Sequence, residues 1–437
     1  MLKLPFSETG IATFSFLKVV TSVTSPLLSF AIFVFANSTE LGCENSQKSE
    51  LERCDFLLPV YLKALSITHF KNYGAVSLGF SSSLNFITGK NGTGKTNLLD
   101  GIHYLCLGKS YFHASDQQSV KFGERFFRIE GTFDHDSAQV GVRCVYPLGG
   151  KKDLSCNNVI CQRLTDHVGT IPVVMIAPDD QSLINEGSDE RRRFIDNTIS
   201  QIDQLYLEDL LLYNKVLQQR NAALKNFAVT KRFDAGLMEA LDRQLSGFGE
   251  KIFIKRVFYL EKISPLIEYY YHLICEGSER IKTAYQSVFH GPNYSLLLKQ
   301  VIEKDRQLER TTEGIHRDEF DFFLNDQPVR KFGSQGQKKT FLMSLKLAQW
   351  ELIKSEKNKK PLLLLDDLFD KLDAYRSVKI LKLISGPEFG QVFITDTETD
   401  RLAVERVGLN TAYKRFLITS GRLTSEITEM ENSLEKR

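Results

Sequence analysis

Gly89-Lys90-Asn91-Gly92-Thr93-Gly94-Lys95-Thr96 is the stretch from which the rest of this 437-residue chain can be read. It fits G-x-x-x-x-G-K-[ST]. Before it, Leu84-Asn85-Phe86-Ile87-Thr88 reads as a short buried strand; after it, residues 97–105 read as an amphipathic helix. A strand, a glycine-rich loop and a helix N-terminus together cradle phosphates. The glycines let backbone N–H groups turn inward, and the helix end adds positive dipole. In that frame Lys95 reaches the β- and γ-phosphates of ATP, and the Thr96 hydroxyl ligates Mg²⁺. A chance match would not carry the right flanks on both sides.

A phosphate loop alone leaves many families open. Near the other end, Pro361-Leu362-Leu363-Leu364-Leu365-Asp366-Asp367 describes a buried parallel strand that finishes in two acids. Ligands of open α/β sheets bind at such carboxyl edges. Asp366 is suited to hold Mg²⁺ through water, and Asp367 to polarise an attacking water. Just upstream, Gly333-Ser334-Gln335-Gly336-Gln337 precedes a helical stretch, 338–354. It resembles the ABC-ATPase signature, usually Leu-Ser-Gly-Gly-Gln. A Ser and a Gly at a helix N-terminus make a second phosphate-binding end. The chain's own phosphate is already served by residues 89–96, and the resemblance to ABC ATPases implies that Ser334, Gly336 and Gln337 meet the γ-phosphate of a second copy's ATP. ATP then holds a head-to-tail symmetric homodimer together.

Further motifs resemble one family within that class, the RecF family of bacterial recombination mediators. They begin with Tyr61-Leu62-Lys63-Ala64-Leu65-Ser66-Ile67-Thr68-His69-Phe70-Lys71-Asn72-Tyr73, and with Asn97-Leu98-Leu99-Asp100 after the phosphate loop. Next come Ala177-Pro178-Asp179-Asp180, Glu190-Arg191-Arg192-Arg193-Phe194-Ile195-Asp196 and Tyr213-Asn214-Lys215-Val216-Leu217. Gly314-Ile315-His316-Arg317-Asp318-Glu319 follows, then the signature, Leu365-Asp366-Asp367-Leu368 and Asp370-Lys371-Leu372-Asp373. The resemblance runs from about residue 60 almost to the C-terminus. It implies an α/β fold: an ABC-ATPase head with a mixed sheet, plus a compact, mostly helical lobe. It also implies ATP-dependent binding to DNA at gaps and junctions, with RecR and RecO as partners. Support of RecA loading and SOS induction would be the outcome.

Three positions depart from the general ABC pattern. The second acid, Asp367, stands where Glu is usual, and the shorter side chain suggests slow hydrolysis. Gln391-Val392-Phe393-Ile394-Thr395-Asp396 ends in Thr and Asp, without the usual switch histidine. Gln335 takes the place of a signature glycine. All three departures are RecF-like. For the Q-loop, Gln181 is a weak candidate.

Composition is that of an ordinary soluble protein, and the net charge of +2 says nothing for or against nucleic acid. DNA contacts must come from local patches, for which Lys151-Lys152, Arg191-Arg192-Arg193 and Lys338-Lys339 are candidates. Each also reads as a solvated face or a salt-bridge cluster. Seven cysteines without a C-x-x-C argue against a disulfide framework and fit a reducing cytosol. Cys156 and Cys161, five apart with no neighbouring His/Cys cluster in sequence, argue against zinc.

Residues 1–59 match nothing in the family. Residues 19–39 carry no charge and lie between lysines and acids, as in a signal peptide or membrane span. Export conflicts with a need for ATP and with the cysteine usage. Val60-Tyr61-Leu62-Lys63 stands where RecF chains begin Met-Tyr-Leu-Lys, and a GTG codon reads as Val internally. Translation is therefore expected to start at Val60, with residues 1–59 extraneous or disordered and no membrane involved. Residues 60–437 would then carry a net charge of +4, from 52 basic and 48 acidic residues.

The core's first part is expected at 60–195, a helical lobe at 196–305 and the core's second part at 306–437. Thr96 and Gly333 are 237 positions apart, more than in transporter ATPases. Leu210, Leu217 and Leu224, then Leu241, Leu245, Phe248 and Ile252, repeat at helical spacing. These runs are too short for an SMC-type arm. An SMC-like or nuclease-coupled ATPase would need such an arm or a zinc hook. A transporter ATPase would need a short insert and a switch histidine. A membrane-tethered ATPase would need residues 1–59 to be real.

Overall fold

In a computed structural model the chain divides into two units, 1–56 and 57–437. The residues described are 60–135, 138–275, 279–291, 293–367, 374–397 and 411–429. The expectations for residues 1–59 and for Asp370-Lys371-Leu372-Asp373 lie outside them. Among the described residues no helix is long and apolar enough to cross a membrane.

The described residues open with an antiparallel sheet. β1 (Tyr61–Thr68), β2 (Ala75–Gly79), β4 (Phe126–His135), β5 (Ala138–Pro147), β6 (Asp153–Cys156) and β7 (Val159–Ile160) are arranged in the order β2-β1-β4-β5-β6-β7. The second sheet builds the site. It contains β3 (Leu84–Thr88), β8 (Val173–Ile176), β12 (Leu362–Leu365), β13 (Val392–Asp396), β14 (Tyr413–Thr419) and β15 (Arg422–Glu429), in the order β15-β14-β3-β13-β12-β8. All neighbours in it are parallel except β14 and β15. Every residue of β3, β8, β12 and β13 is buried, as strands covered on both faces require.

The four leucines of β12 show how one strand serves two cores. Leu362 and Leu364 face the antiparallel sheet and the phosphate-loop helix α1 (Lys95–Leu107); Leu363 and Leu365 face the long helices. This is the two-residue alternation of a strand, here apolar on both faces.

The long helices are α2 (Ser188–Ile202), α3 (Gln204–Thr230), α4 (Ala235–Cys275) and α5 (Gln335–Lys357). α2 runs across residue 195. α3 and α4 pack against each other, with Leu224, Leu241, Leu245 and Ile252 buried and Leu210, Leu217 and Phe248 partly buried against the core. The sequence stripes are therefore helix-packing faces. A third, small sheet joins β9 (Ile281–Gln286), β10 (Glu319–Leu324) and β11 (Gln327–Pro328), so it brings together residues from both sides of position 305. Tyr285 of β9 stacks on Phe320 of β10 at 4.6 Å.

Two arginines tie this lobe from inside. Arg220 of α3 is fully buried and bonds Asp242 and Asp305, each at 2.6 Å, and Thr311 at 2.9 Å. Arg256 of α4 bonds Asp196 at 2.9 Å and Asp318 at 2.7 Å. Removing one partner of a buried pair leaves the other charge uncompensated. Arg220→Ala should therefore lower the unfolding free energy by about 3–5 kcal/mol, read from urea denaturation. An unchanged midpoint would mean the triad contributes no net stability.

Candidate nucleotide-binding site

Register decides which ends meet. Thr88 pairs with Asp396 and Ile87 with Thr395 across β3 and β13, while Leu365 pairs with Ile394 and Ile176 across β12, β13 and β8. The phosphate loop, the two acids and the end of β13 therefore leave the sheet at one level.

The loop needs its glycines. Gly89, Gly92 and Gly94 have φ of 152°, 78° and 116°, a region that L side chains rarely adopt. A Cβ on Gly94 would come within 2.6 Å of Asn72 Nδ2. Asn72 and Tyr73 clamp the loop from outside: Asn72 Nδ2 donates to Thr93 O at 3.0 Å, and Tyr73 Oη donates to Gly94 O at 2.9 Å. Asn97 Nδ2 donates to Asn72 Oδ1 at 2.8 Å, and Gly421 N to Thr93 O at 2.8 Å. Burial raises the Tyr73 phenol far above its ordinary pKa, so it remains a donor. Neither Asn72 nor Tyr73 carries a spacing signal of its own; only the fold reveals the clamp.

Lys95 is buried and its ammonium donates to Gly89 O at 2.9 Å and Lys90 O at 3.3 Å. It lies along the rim of its own loop, where phosphate oxygens would meet it. Asn91 and Lys90 are exposed at the loop tip, and Thr93 Oγ1 donates to Lys90 O at 2.9 Å.

Thr96 Oγ1 lies 3.0 and 2.9 Å from the two Asp366 carboxylate oxygens. This hydrogen bond sets a hydroxyl suited to ligate Mg²⁺ beside a carboxylate that would hold the ion through water. Burial raises the Asp366 carboxyl to about 6; the Thr395 and Thr96 hydroxyls oppose the rise, Asp367 adds to it, and Lys95 opposes it.

Thr395 is the residue that sequence reasoning missed. Its hydroxyl donates to Asp366 Oδ1 at 2.8 Å and accepts the Asp367 N–H at 2.8 Å. It therefore sets the angle between the two acids. The one sequence signal is that β13 ends Thr-Asp, which by itself reads only as a missing histidine. Asp367 has φ of 43° and is partly exposed, with one carboxylate oxygen 3.5 Å from the Thr395 hydroxyl.

The signature stands apart from this cluster. Ser334 caps α5: its Oγ accepts from Gln337 N at 3.2 Å while Gln337 Oε1 accepts from Ser334 N at 2.8 Å, a reciprocal capping box. Gln337 Nε2 donates to Glu279 at 2.5 Å, and a Cβ on Gly336 would meet Arg376 at 3.0 Å. α5 ends beside the start of β12, with Trp350 Nε1 donating to Pro361 O at 2.9 Å, so its N-terminus returns to the carboxyl edge. It lies over β8, where Lys346 Nζ donates to Met175 O at 2.9 Å. Three strand spacings separate β8 from β3, about 14 Å. Among the described residues no hydrogen bond joins Ser334, Gly336 or Gln337 to the phosphate loop.

Residues 61–414 match the family model of the RecF/RecN/SMC N-terminal domain. The chain is 41% identical over 357 residues to the DNA replication and repair protein RecF of Flavobacterium johnsoniae, covering 82% of this chain and 99% of that one. The chain belongs to the RecF family. A solved structure of the recombination mediator protein RecF with ATP, in the RecFOR pathway, superposes at a TM-score of 0.76 and 30% identity, covering 85% of this chain and 98% of that one. An Smc head domain with a coiled coil and joint from Pyrococcus yayanosii shares the fold, at a TM-score of 0.51 and 14% identity over 84% and 97% of the two chains. RecF membership places the chain among proteins of DNA replication, repair and recombination, with an ABC-type ATPase head.

Other RecF-like motifs prove to be scaffolding. Asp100 is buried and accepts from Lys71 Nζ at 2.7 Å, Ser110 Oγ at 2.7 Å and Tyr111 N at 2.6 Å. Asp180 accepts from Ala177 N at 2.7 Å and pairs with Lys346 at 3.0 Å. Gln181 follows directly, at the carboxyl edge beside β12. His316 lies under Tyr213, 2.8 Å from its Oη, and burial lowers its pKa to about 4.

The proposed basic patches change meaning. Arg191 and Arg192 are buried; Arg191 bonds Glu186 O at 2.9 Å, and Arg192 bonds Asp189 and Asp318 O. Arg193 is exposed but pairs with Glu190 at 2.5 Å. Lys152 is held by Asp116 at 2.9 Å and Gly108 O at 2.6 Å, and Lys338 by Asn185 at 3.1 Å and Arg330 O at 2.9 Å. Lys151 is exposed. A sequence run of like charges does not tell which side chains turn inward.

Proposed function

We propose that this chain is an ATP-switched DNA-binding protein of the RecF type. Residues 89–96 bind ATP. Thr96 and Asp366 would hold Mg²⁺, which neutralises phosphate charge when bound. Ser334, Gly336 and Gln337 engage the γ-phosphate of a second copy's ATP, so nucleotide closes a homodimer over DNA. Asp367 activates water for slow hydrolysis, which reopens the dimer. RecR and RecO are the partners, and RecA loading at single-stranded gaps, with SOS induction, is the outcome. The need for ATP and DNA puts this activity in the cytoplasm.

The observation that carries the reading is the pairing of two half-sites at one sheet edge. Thr96, Asp366, Thr395 and Asp367 converge by hydrogen bonds, while Ser334 is exposed, Gly336 and Gln337 are partly exposed, and among the described residues no hydrogen bond joins these three to that cluster.

Sizing by light scattering with and without ATP tests it. The wild-type chain should become a dimer with ATP. Ser334→Arg should bind ATP as a monomer and fail to dimerise, because a bulky side chain enters the facing phosphate site. Ser334 is exposed, so the main structural cost is its cap, about 1 kcal/mol. A dimer of the variant with ATP would refute the signature role.

DNA binding should be sequence-independent, strengthened by ATP, and should weaken linearly on a log–log plot against salt, because phosphate contacts release counterions. Fluorescence anisotropy across a salt series reads this directly. Affinity indifferent to both salt and nucleotide would point away from the reading.

A further inference from the structure

The sequence placed Cys156 and Cys161 without metal partners; folding brings His167 to them. Cys156 ends β6, Cys161 follows β7, and His167 follows a short helical turn, Leu164–Asp166. Cys156 Sγ lies 3.6 Å from His167 Nδ1 and 3.9 Å from Cys161 Sγ. Among the described residues this is the one group of three or more His, Cys and acidic side chains whose ligand atoms all lie within 4.8 Å of one another.

We infer that Cys156, Cys161 and His167 form a zinc site that fastens the β6–β7 hairpin to the C-terminal turn of the phosphate-loop helix.

Three features carry the inference. The first is spacing. Zinc takes thiolate at about 2.3 Å and imidazole at about 2.0–2.1 Å in tetrahedral geometry. Those lengths put two sulfurs about 3.8 Å apart and a sulfur and a nitrogen about 3.6 Å apart. The observed separations match both edges.

The second is the tautomer. His167 Nε2 lies 2.6 Å from Leu105 O, a contact in which the ring nitrogen must donate. The lone pair of the neutral ring is then on Nδ1, facing the sulfurs. Thr170 Oγ1 is 3.5 Å from Nδ1, but its proton goes to His167 O at 2.7 Å. Metal-bound histidines characteristically donate their other N–H to a carbonyl or carboxylate in this way.

The third is placement. His167 is buried while both cysteines are only partly so, which leaves the ion a path of entry from solvent. Leu105 belongs to α1, and Leu164 packs on Gly108, its C-cap. An ion here would fix the far end of the helix that begins at Lys95. Burial, aided by Cys161, raises the Cys156 thiol to about 11. Zinc must replace both thiol protons, which pass to solvent.

The full-length chain, purified under reducing conditions without chelator, should contain zinc at one ion per chain by mass spectrometry of the metal. Replacing zinc by Co²⁺ should give a thiolate-to-cobalt charge-transfer band and the intense visible bands of a tetrahedral site. Cys161→Ser, at a partly exposed position, should lose that band and weaken zinc by more than the about 10–100-fold that outer-shell changes cost. Cys275→Ser should change neither. An ion at Thr96 and Asp366 would show no thiolate band, so the two sites are told apart. Absence of the band in the wild-type chain, or an equal band in Cys161→Ser, would overturn the site. So would a Cys156–Cys161 disulfide in the protein isolated under reducing conditions.

Discussion

Lys95→Ala should lower ATP affinity by about 100-fold or more in a fluorescent-nucleotide titration. Its ammonium is the buried point charge of the loop, and charge-assisted bonds to phosphate are among the strongest a side chain makes. The backbone cradle of Gly89, Gly92 and Gly94 remains, so residual weak binding is expected rather than none. The ammonium also donates to Gly89 O and Lys90 O, so the loop could loosen without it. Lys95→Arg separates the two effects. It keeps the charge, but its planar fork does not fit a site shaped for a compact ammonium. Both variants should still unfold in one cooperative transition, which separates lost binding from lost folding. Native ATP affinity in Lys95→Ala would end the assignment of residues 89–96.

Asp367→Asn should slow hydrolysis by about 10²–10⁴, the usual loss when a general base is removed. ATP affinity should stay unchanged, and the ATP-bound dimer should last correspondingly longer. The substitution is nearly isosteric. It also suits the backbone, because Asn tolerates the φ of 43° found here and keeps the N–H that Thr395 accepts. A fall in rate therefore reports the carboxylate and not a displaced turn. Phosphate release under single-turnover conditions measures it, with light scattering for the dimer. Hydrolysis at the native rate would remove Asp367 from the chemistry and leave Asp396, level with Thr88 across β3 and β13, as the next carboxylate to test.

The sequence by itself determined the ATPase head. Residues 84–105 read correctly because a strand, a glycine loop and a helix start are local: contiguous residues and their φ angles settle them. Leu362–Asp366 read correctly for the same reason, since an all-apolar strand has few places to go except the middle of a parallel sheet. The leucine stripes on α3 and α4 were legible as packing faces through helical periodicity alone.

The tertiary structure decided what crosses the chain. Thr395 lies 299 positions from Thr96, and only the register of β3, β13 and β12 makes it the bridge between Asp366 and Asp367. Asn72 and Tyr73 became the loop's clamp because β1 and its turn dock against α1. Arg191 and Arg192 turned inward because α2 buries the face that carries them, which charge runs cannot reveal. Cys156, Cys161 and His167 met because a hairpin and a helical turn fold back over the end of α1. A motif whose geometry is set by neighbouring peptide units can be read from its letters. A contact set by sheet register or by which helix face is buried depends on the whole core, and no spacing rule contains it.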